Sequence, residues 1–305
     1  MTGRRRGKTA LPKPAPARGL SGILLSAPAA LLARTLQCGR PVRTASIKPI
    51  RPAKTTDPFG TEKGISGMEK REQLYEGKAK KVFATDDANL VIVDYKDDAT
   101  AGDGAKKGTI RGKGVVNNRL TNNLMKMLAE KGVPTHFVKE LSTRETLVKK
   151  VQIVPLEVII RNVAAGSFTK RLGVPEGTVL RIPTIEFSYK NDEYHDPLIN
   201  HYHALALGLA TQEEIDTITR YAFRVNGILS EYLLGFGIRL IDFKLEFGRL
   251  ADGTIVLADE ISPDTCRFWD AKTGAHLDKD LFRRDLGGEE EAYQEVMKRL
   301  LGEEA

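Results

Sequence analysis

The chain has 305 residues, 41% of them hydrophobic, with 47 Lys+Arg, 40 Asp+Glu and two cysteines; this allows one or two domains with a proper core and excludes a disulfide framework. The net charge of +7 is uneven, because residues 1–56 hold 12 Lys+Arg and no acid, leaving 35 basic against 40 acidic residues after them, a net of −5. The basic pI is therefore no ground for a nucleic-acid-binding body, and sparse cysteines (Cys38, Cys266) fit a reducing, cytoplasmic setting.

Residues 1–67 are rich in Pro, Ala, Arg and Gly and lack periodic apolar spacing. The mildly apolar run 19–33 is broken by Pro28 and is too short to span a membrane. The segment reads as a disordered basic leader: residue from a misplaced start ahead of Met68, a targeting peptide, or an arm. The body beyond it reads as α+β.

Short strands are expected at 74–75, 81–85 and 90–95. Between the first two, Tyr75-Glu76-Gly77-Lys78-Ala79-Lys80-Lys81 sets one glycine among three lysines. Gly77 lets backbone approach an anion, and Lys78 and Lys80 share a face of an extended chain. A lysine-rich surface turn fits the same residues. Residues 97–106 read as a polar loop in which Gly102 and Gly104 flank Asp103. A helix is expected over 114–131, ended by Gly132 and Pro134, then extended segments at 135–140, 146–150 and 156–163. The last of these runs into Arg161-Asn162, costly at the end of a buried strand without an anionic partner, and then into Gly166-Ser167 ahead of a short helix over 168–172. His201 and His203 lie in a coil-like stretch and read as a solvated pair. A long helix over 211–236 opens with a Thr211/Glu214 capping box, and a last helix covers 288–301.

The most informative stretch is a hairpin. Ile241-Asp242-Phe243-Lys244-Leu245-Glu246-Phe247-Gly248 alternates charged and apolar residues, a turn is expected at Asp252-Gly253, and Asp259 returns on the far strand. Side-chain alternation puts Asp242, Lys244 and Glu246 on one face, with Asp259 opposite Lys244 or Glu246. Three acids and a lysine backed by an apolar face suit a divalent cation with a polyphosphate, for which Mg²⁺ is the natural candidate; a solvated ion-pair network fits the same pattern. Arg267, Arg283 and Arg284 add cations and point to a substrate bearing phosphate or carboxylate.

Taken in order, Y-E-G-K-A-K-K, T-A-G-D-G-A, V-P-L-E-V-I-I-R-N-V-A-A-G-S, K-R-L-G-V-P-E-G, I-D-F-K-L-E-F-G, D-E-I-S-P-D-T-C-R-F-W-D and L-D-K-D-L-F-R-R resemble the motifs of the SAICAR synthetase family over about residues 72–301. The resemblance implies an α+β fold in which a small kinase- or ATP-grasp-like lobe (68–155) precedes a larger mixed α/β domain (156–305), with ATP between them. It implies an ATP-dependent ligase, acting in purine biosynthesis, that joins L-aspartate to the carboxylate of CAIR (carboxyaminoimidazole ribonucleotide) with Mg²⁺, with a homo-oligomeric enzyme and no nucleic-acid or membrane partner. It further implies Gly77, Lys78, Ala79, Lys80, Glu157 and Lys190 around the nucleotide, and Glu246 and Asp259 as Mg²⁺ ligands. Arg161, Ser167, Arg267 and Arg283 would hold CAIR, and Lys244, Asp242 and Asp103 would lie at the reacting groups, with Asp242 a candidate base. A small-molecule kinase and a nucleotide-sensing or nucleic-acid-binding module using the basic leader are the rival readings.

Overall fold

The computed structural model describes residues 68–102 and 104–303; the expected leader, Cys38 and Asp103 lie outside the described residues. The first strands, β1 (Gln73–Glu76), β2 (Lys80–Ala84) and β3 (Leu90–Tyr95), form an antiparallel meander. β3 is the apolar run Leu90-Val91-Ile92-Val93, and its alternation serves two faces. Leu90 and Ile92 pack with Leu147, whereas Val91, Val93 and Tyr95 pack with Val148 on the other side, as a period of two requires. Residues 97–106 are not simply a loop. β4 (Asp98–Ala101) and β5 (Lys106–Thr109) pair as a small hairpin, Ala99 opposite Gly108 and Thr100 opposite Lys107.

The expected helix becomes α1 (Lys113–Glu130), and Gly132, with φ of 79°, turns the chain out of it. α1 carries more than an apolar stripe. Lys113, Asn117, Asn118, Thr121 and Asn122 are all buried. Thr121 exchanges hydrogen bonds with the backbone of Ile261, and Asn118 and Asn122 both accept from the Thr146 hydroxyl. β6 (Phe137–Glu140) and β7 (Glu145–Lys149) complete a five-stranded sheet in the order β1-β2-β3-β7-β6.

β8 (Gln152–Val163) opens a second sheet, so a boundary between residues 155 and 156 falls inside a strand. After α2 (Ser167–Leu172), β9 (Val179–Tyr189) and β10 (Leu198–Ile199) form one edge. His201 and His203 are not in coil. They open α3 (His201–Ala206), where Asn200 and His203 form a capping box. α4 (Gln212–Gly235) starts on the expected Thr211/Glu214 box and lays Ile215, Ile218, Ala222, Val225, Leu229 and Leu233 into the core.

The long strand β11 (Ile238–Arg249) is the spine of this sheet. It pairs with β8 along one side; along the other it pairs first with β13 (Cys266–Asp270) and then with β12 (Ile255–Ala258). α5 (Asp280–Arg283) and α6 (Glu289–Leu301) close the chain, and α6 packs on α1. Among the described residues, no helix is long and apolar enough to cross a membrane.

Candidate active site

The charged and apolar halves of β11 separate as alternation demands. Phe243, Leu245 and Phe247 are each no more than 1% exposed, and burial of such side chains is worth about 1.5–3 kcal/mol each, enough to anchor the strand while its other face carries charge. On that other face Asp242 lies opposite Arg161, and Glu246 opposite Glu157, across the β8 pairing; directly opposed residues share a face.

Asp259 joins this face by another route than register. The residue opposite Glu246 is Ala258, the last of β12, and Asp259 follows it with φ of 59°. A left-handed backbone breaks the strand alternation and re-aims the side chain; Asp is among the few residues that tolerate it. The expected position opposite Lys244 or Glu246 is thus corrected, while the carboxylate still reaches the same cluster.

Lysines from distant parts of the chain meet these acids. Lys80, from the first sheet, is bonded to Asp259 and lies 3.3 Å from Glu260. Lys190 donates to Glu246 at 2.9 Å, and Lys244 bridges Glu157 and Glu246. Burial opposes charge on Lys80, but Asp259 and Glu260 outweigh it and hold its pKa well above the ordinary value. Burial likewise opposes ionisation of Asp259, yet Lys80 and Lys244 bring its carboxyl down to about 2. Glu246 is pushed up, first by burial and then by the like charge of Asp259. Behind this group sits His136, buried and lowered to about 4, chiefly by desolvation and next by the charge of Lys80.

A second cluster consists of arginines and acids. Arg161 donates to Asp242 at 2.5 Å, to Glu186 at 2.8 Å and to Ser167 at 3.2 Å. Arg267 reaches both oxygens of Asp242, at 2.9 and 3.0 Å, and Asp280 at 2.7 Å. Asp280 also accepts from Arg283 at 2.7 Å. The anionic partner expected for Arg161 is therefore met inside the protein, and Asn162 pairs with Asn226. Gly166, with φ of 56°, lies beneath Arg267, and a Cβ there would fall inside the guanidinium.

Both clusters line one cleft of about 1650 Å³. Gly77, Lys78, Ala79, Lys80, Glu157 and Lys190 lie on its walls, as do Asp242, Lys244, Glu246 and Asp259. Arg161, Arg267 and Arg283 line it too, whereas Ser167 does not and is connected to it only through Arg161. Arg284 points elsewhere and pairs with Glu176. Lys78 reaches Asp192 at 2.8 Å. An apolar wall of Val82, Val91, Val93 and Val148 borders the lysines.

Sequence reasoning gave no role to Glu260, Asp264, Lys279 or Asp280, nor to His136 and Glu186. For four of them a signal existed, because they stand inside the motifs D-E-I-S-P-D and L-D-K-D. His136 and Glu186 are placed by the pairing of remote segments and left none.

The SAICAR synthetase family model matches residues 73–300. A phosphoribosylaminoimidazole-succinocarboxamide synthase of Lachnoclostridium phytofermentans is 67% identical over 233 residues, covering 76% of this chain and 99% of that one. A crystal structure of the enzyme of that name from Ehrlichia chaffeensis superposes with a TM-score of 0.74 at 48% identity, covering 75% of this chain and 98% of the other. A SAICAR synthetase solved in complex with ADP gives a TM-score of 0.74 at 53% identity, covering 77% and 99%. With its lysine–carboxylate and arginine–carboxylate clusters facing one cleft and this degree of likeness along the body, the chain belongs to the SAICAR synthetase family.

Proposed function

We propose that the cleft is the site of an ATP-dependent ligation in which its two ends have separate tasks. The chain is a ligase of purine biosynthesis that uses ATP to join L-aspartate to the carboxylate of CAIR, giving SAICAR, ADP and phosphate. A carboxylate is a poor acyl donor; transfer of the γ-phosphoryl group makes an acyl phosphate, which the amine of aspartate attacks. The observation that carries this reading is the meeting of Lys80, from the first sheet, with Asp259, from the second, beside Glu246. The ADP held by the relative described above supports it, as does the apolar valine wall, which suits a nucleobase.

Glu246 and Asp259 fit Mg²⁺. Both offer hard carboxylate oxygens, their mutual repulsion is resolved in the raised Glu246 carboxyl, and each is neutralised by lysine. When bound, Mg²⁺ neutralises phosphate charge and polarises the γ-phosphoryl group. With the ion on those carboxylates, Lys80, Lys190 and Lys244 would hold the phosphates, together with Gly77, Lys78 and Ala79, and Glu157 would lie beside the nucleotide. Arg161, Arg267 and Arg283 hold the phosphate and carboxylate of CAIR, and Ser167 steadies Arg161. Asp242 orients both arginines, and the family resemblance assigns Asp103 a role beside the reacting groups. Positioning and electrostatics supply most of the acceleration.

We place the enzyme in the cytoplasm as a homo-oligomer, with the residues ahead of β8 as the ATP-binding lobe and β8 onward as the substrate- and metal-binding domain. The buried free thiol of Cys266 suits a reducing compartment, and exposed Val179, Ile182 and Tyr202 offer surface for self-association. The deciding assay is ADP release from ATP with CAIR, with and without aspartate. Stoichiometric ADP only with aspartate is expected; turnover without it would assign the site to a kinase.

A further inference from the structure

Beneath the arginine cluster lies a third group of charges, outside the roles given above. Asp264 Oδ2 accepts from two ammonium groups at once, Lys113 at 3.0 Å and Lys279 at 3.2 Å, and its Oδ1 accepts from the Tyr293 hydroxyl at 2.5 Å. The guanidinium of Arg283 donates to the Asp264 carbonyl at 3.1 Å. The side chains are almost dry, at 0% exposure for Lys113, 5% for Asp264 and 11% for Lys279. Two ammonium groups thus share one carboxylate with little water to spread the charge, and Arg283 adds more of the same sign. Such a surplus is costly in a poorly solvated place.

Only one of the two lysines can relieve that surplus at the site of reaction. Lys279 lines the cleft together with Asp264, Arg267 and Arg283, whereas Lys113 does not. Meanwhile the expected base, Asp242, has both oxygens engaged by the guanidinium groups of Arg161 and Arg267. We propose that Lys279 is the general base that takes a proton from the ammonium group of aspartate and so frees the amine to attack the acyl phosphate. The lone pair of neutral Nζ accepts that first proton, the amine nitrogen bonds to the acyl carbon, the carbon–oxygen bond to phosphate breaks with its electron pair leaving on phosphate, and the second N–H proton passes to the departing phosphate. The environment favours the neutral form: burial lowers the Lys279 pKa, Asp264 opposes, and Lys113 and Arg283 lower it further. Lys113 and Tyr293 keep Asp264 in place behind it.

The inference rests on the ligase reading, so the test separates the two. Full-length wild type, Lys279→Arg and Lys279→Met are assayed for ADP release with ATP, Mg²⁺ and CAIR, using either aspartate or hydroxylamine as acceptor. Hydroxylamine is already unprotonated at neutral pH and needs no base. The expected result is a loss of about 10²- to 10⁴-fold with aspartate in both variants, with hydroxylamine-dependent release unchanged, and a pH limb of kcat/KM for aspartate that moves upward in Lys279→Arg. Arginine stays protonated and has no lone pair with which to accept a proton, while still offering a cation to an anion. A Lys279→Arg variant that retains the aspartate rate would overturn the proposal in favour of plain anion binding. A parallel loss with both acceptors would overturn it in favour of a structural role. No aspartate-dependent ADP release from wild type would instead remove the ligase reading itself.

Discussion

The two ends of the cleft hold their acids differently. At the lysine end, Lys80, Lys190 and Lys244 each touch carboxylates through a single ammonium. At the arginine end, the planar forks of Arg161 and Arg267 fix Asp242 from two sides, and Asp280 fixes Arg267 in turn. An ammonium on a flexible stem exchanges partners easily, whereas a guanidinium held at several points is pre-organised. The difference teaches a division of labour: the lysine end is suited to trade its carboxylates for phosphates in each turnover, and the arginine end to keep one shape throughout.

The largest expected consequence of this contrast is in stability. Arg161→Ala strips three hydrogen bonds from a buried site, leaving Asp242 to Arg267 alone and Glu186 to Arg171 alone, and should lower unfolding free energy by about 3–5 kcal/mol, read as a lower urea midpoint; an unchanged midpoint would show that the arginine end is not a rigid frame. Next comes His136, behind the lysine end. Its pKa lies below the ordinary 6.5, at about 4, so the unfolded chain takes up the proton first. The stability from its neutral state is complete above about pH 6.5 and is lost as pH falls towards 4, by about 3 kcal/mol in all. Urea titrations of wild type and His136→Asn across that range should converge as pH falls, and parallel curves would contradict the buried neutral imidazole. Asp259→Asn should then cost about 10² in turnover, about 2.7 kcal/mol of barrier, with the fold kept, as Lys80 retains Glu260 at 3.3 Å. Asn tolerates the left-handed backbone at this position, so the change removes charge and spares shape. A near wild-type rate would put the metal and phosphates elsewhere.

Much of this frame was legible from local pattern. Apolar runs and alternation gave β3, α4 and β11, and capping and turn residues gave their ends, because those signals lie within a few residues of what they control. The β4–β5 hairpin was not legible, since Asp98-Ala99-Thr100-Ala101 and Lys106-Lys107-Gly108-Thr109 pair through backbone without an apolar stripe. Lys113 on α1 gave no sign of burial, because its partner Asp264 lies 151 residues away. Asp259 was put in the correct cluster on incorrect grounds. Register would have turned it away, and only its backbone twist, invisible to a two-residue period, brings it back.

Gly166 carries an evolutionary consequence. Its positive φ and the guanidinium lying over it forbid a side chain for two separate reasons. A substitution there would strain the backbone and also push the Arg267 guanidinium aside, loosening its grip on Asp242, so replacing this glycine is costly even in a lineage that has already lost the arginine.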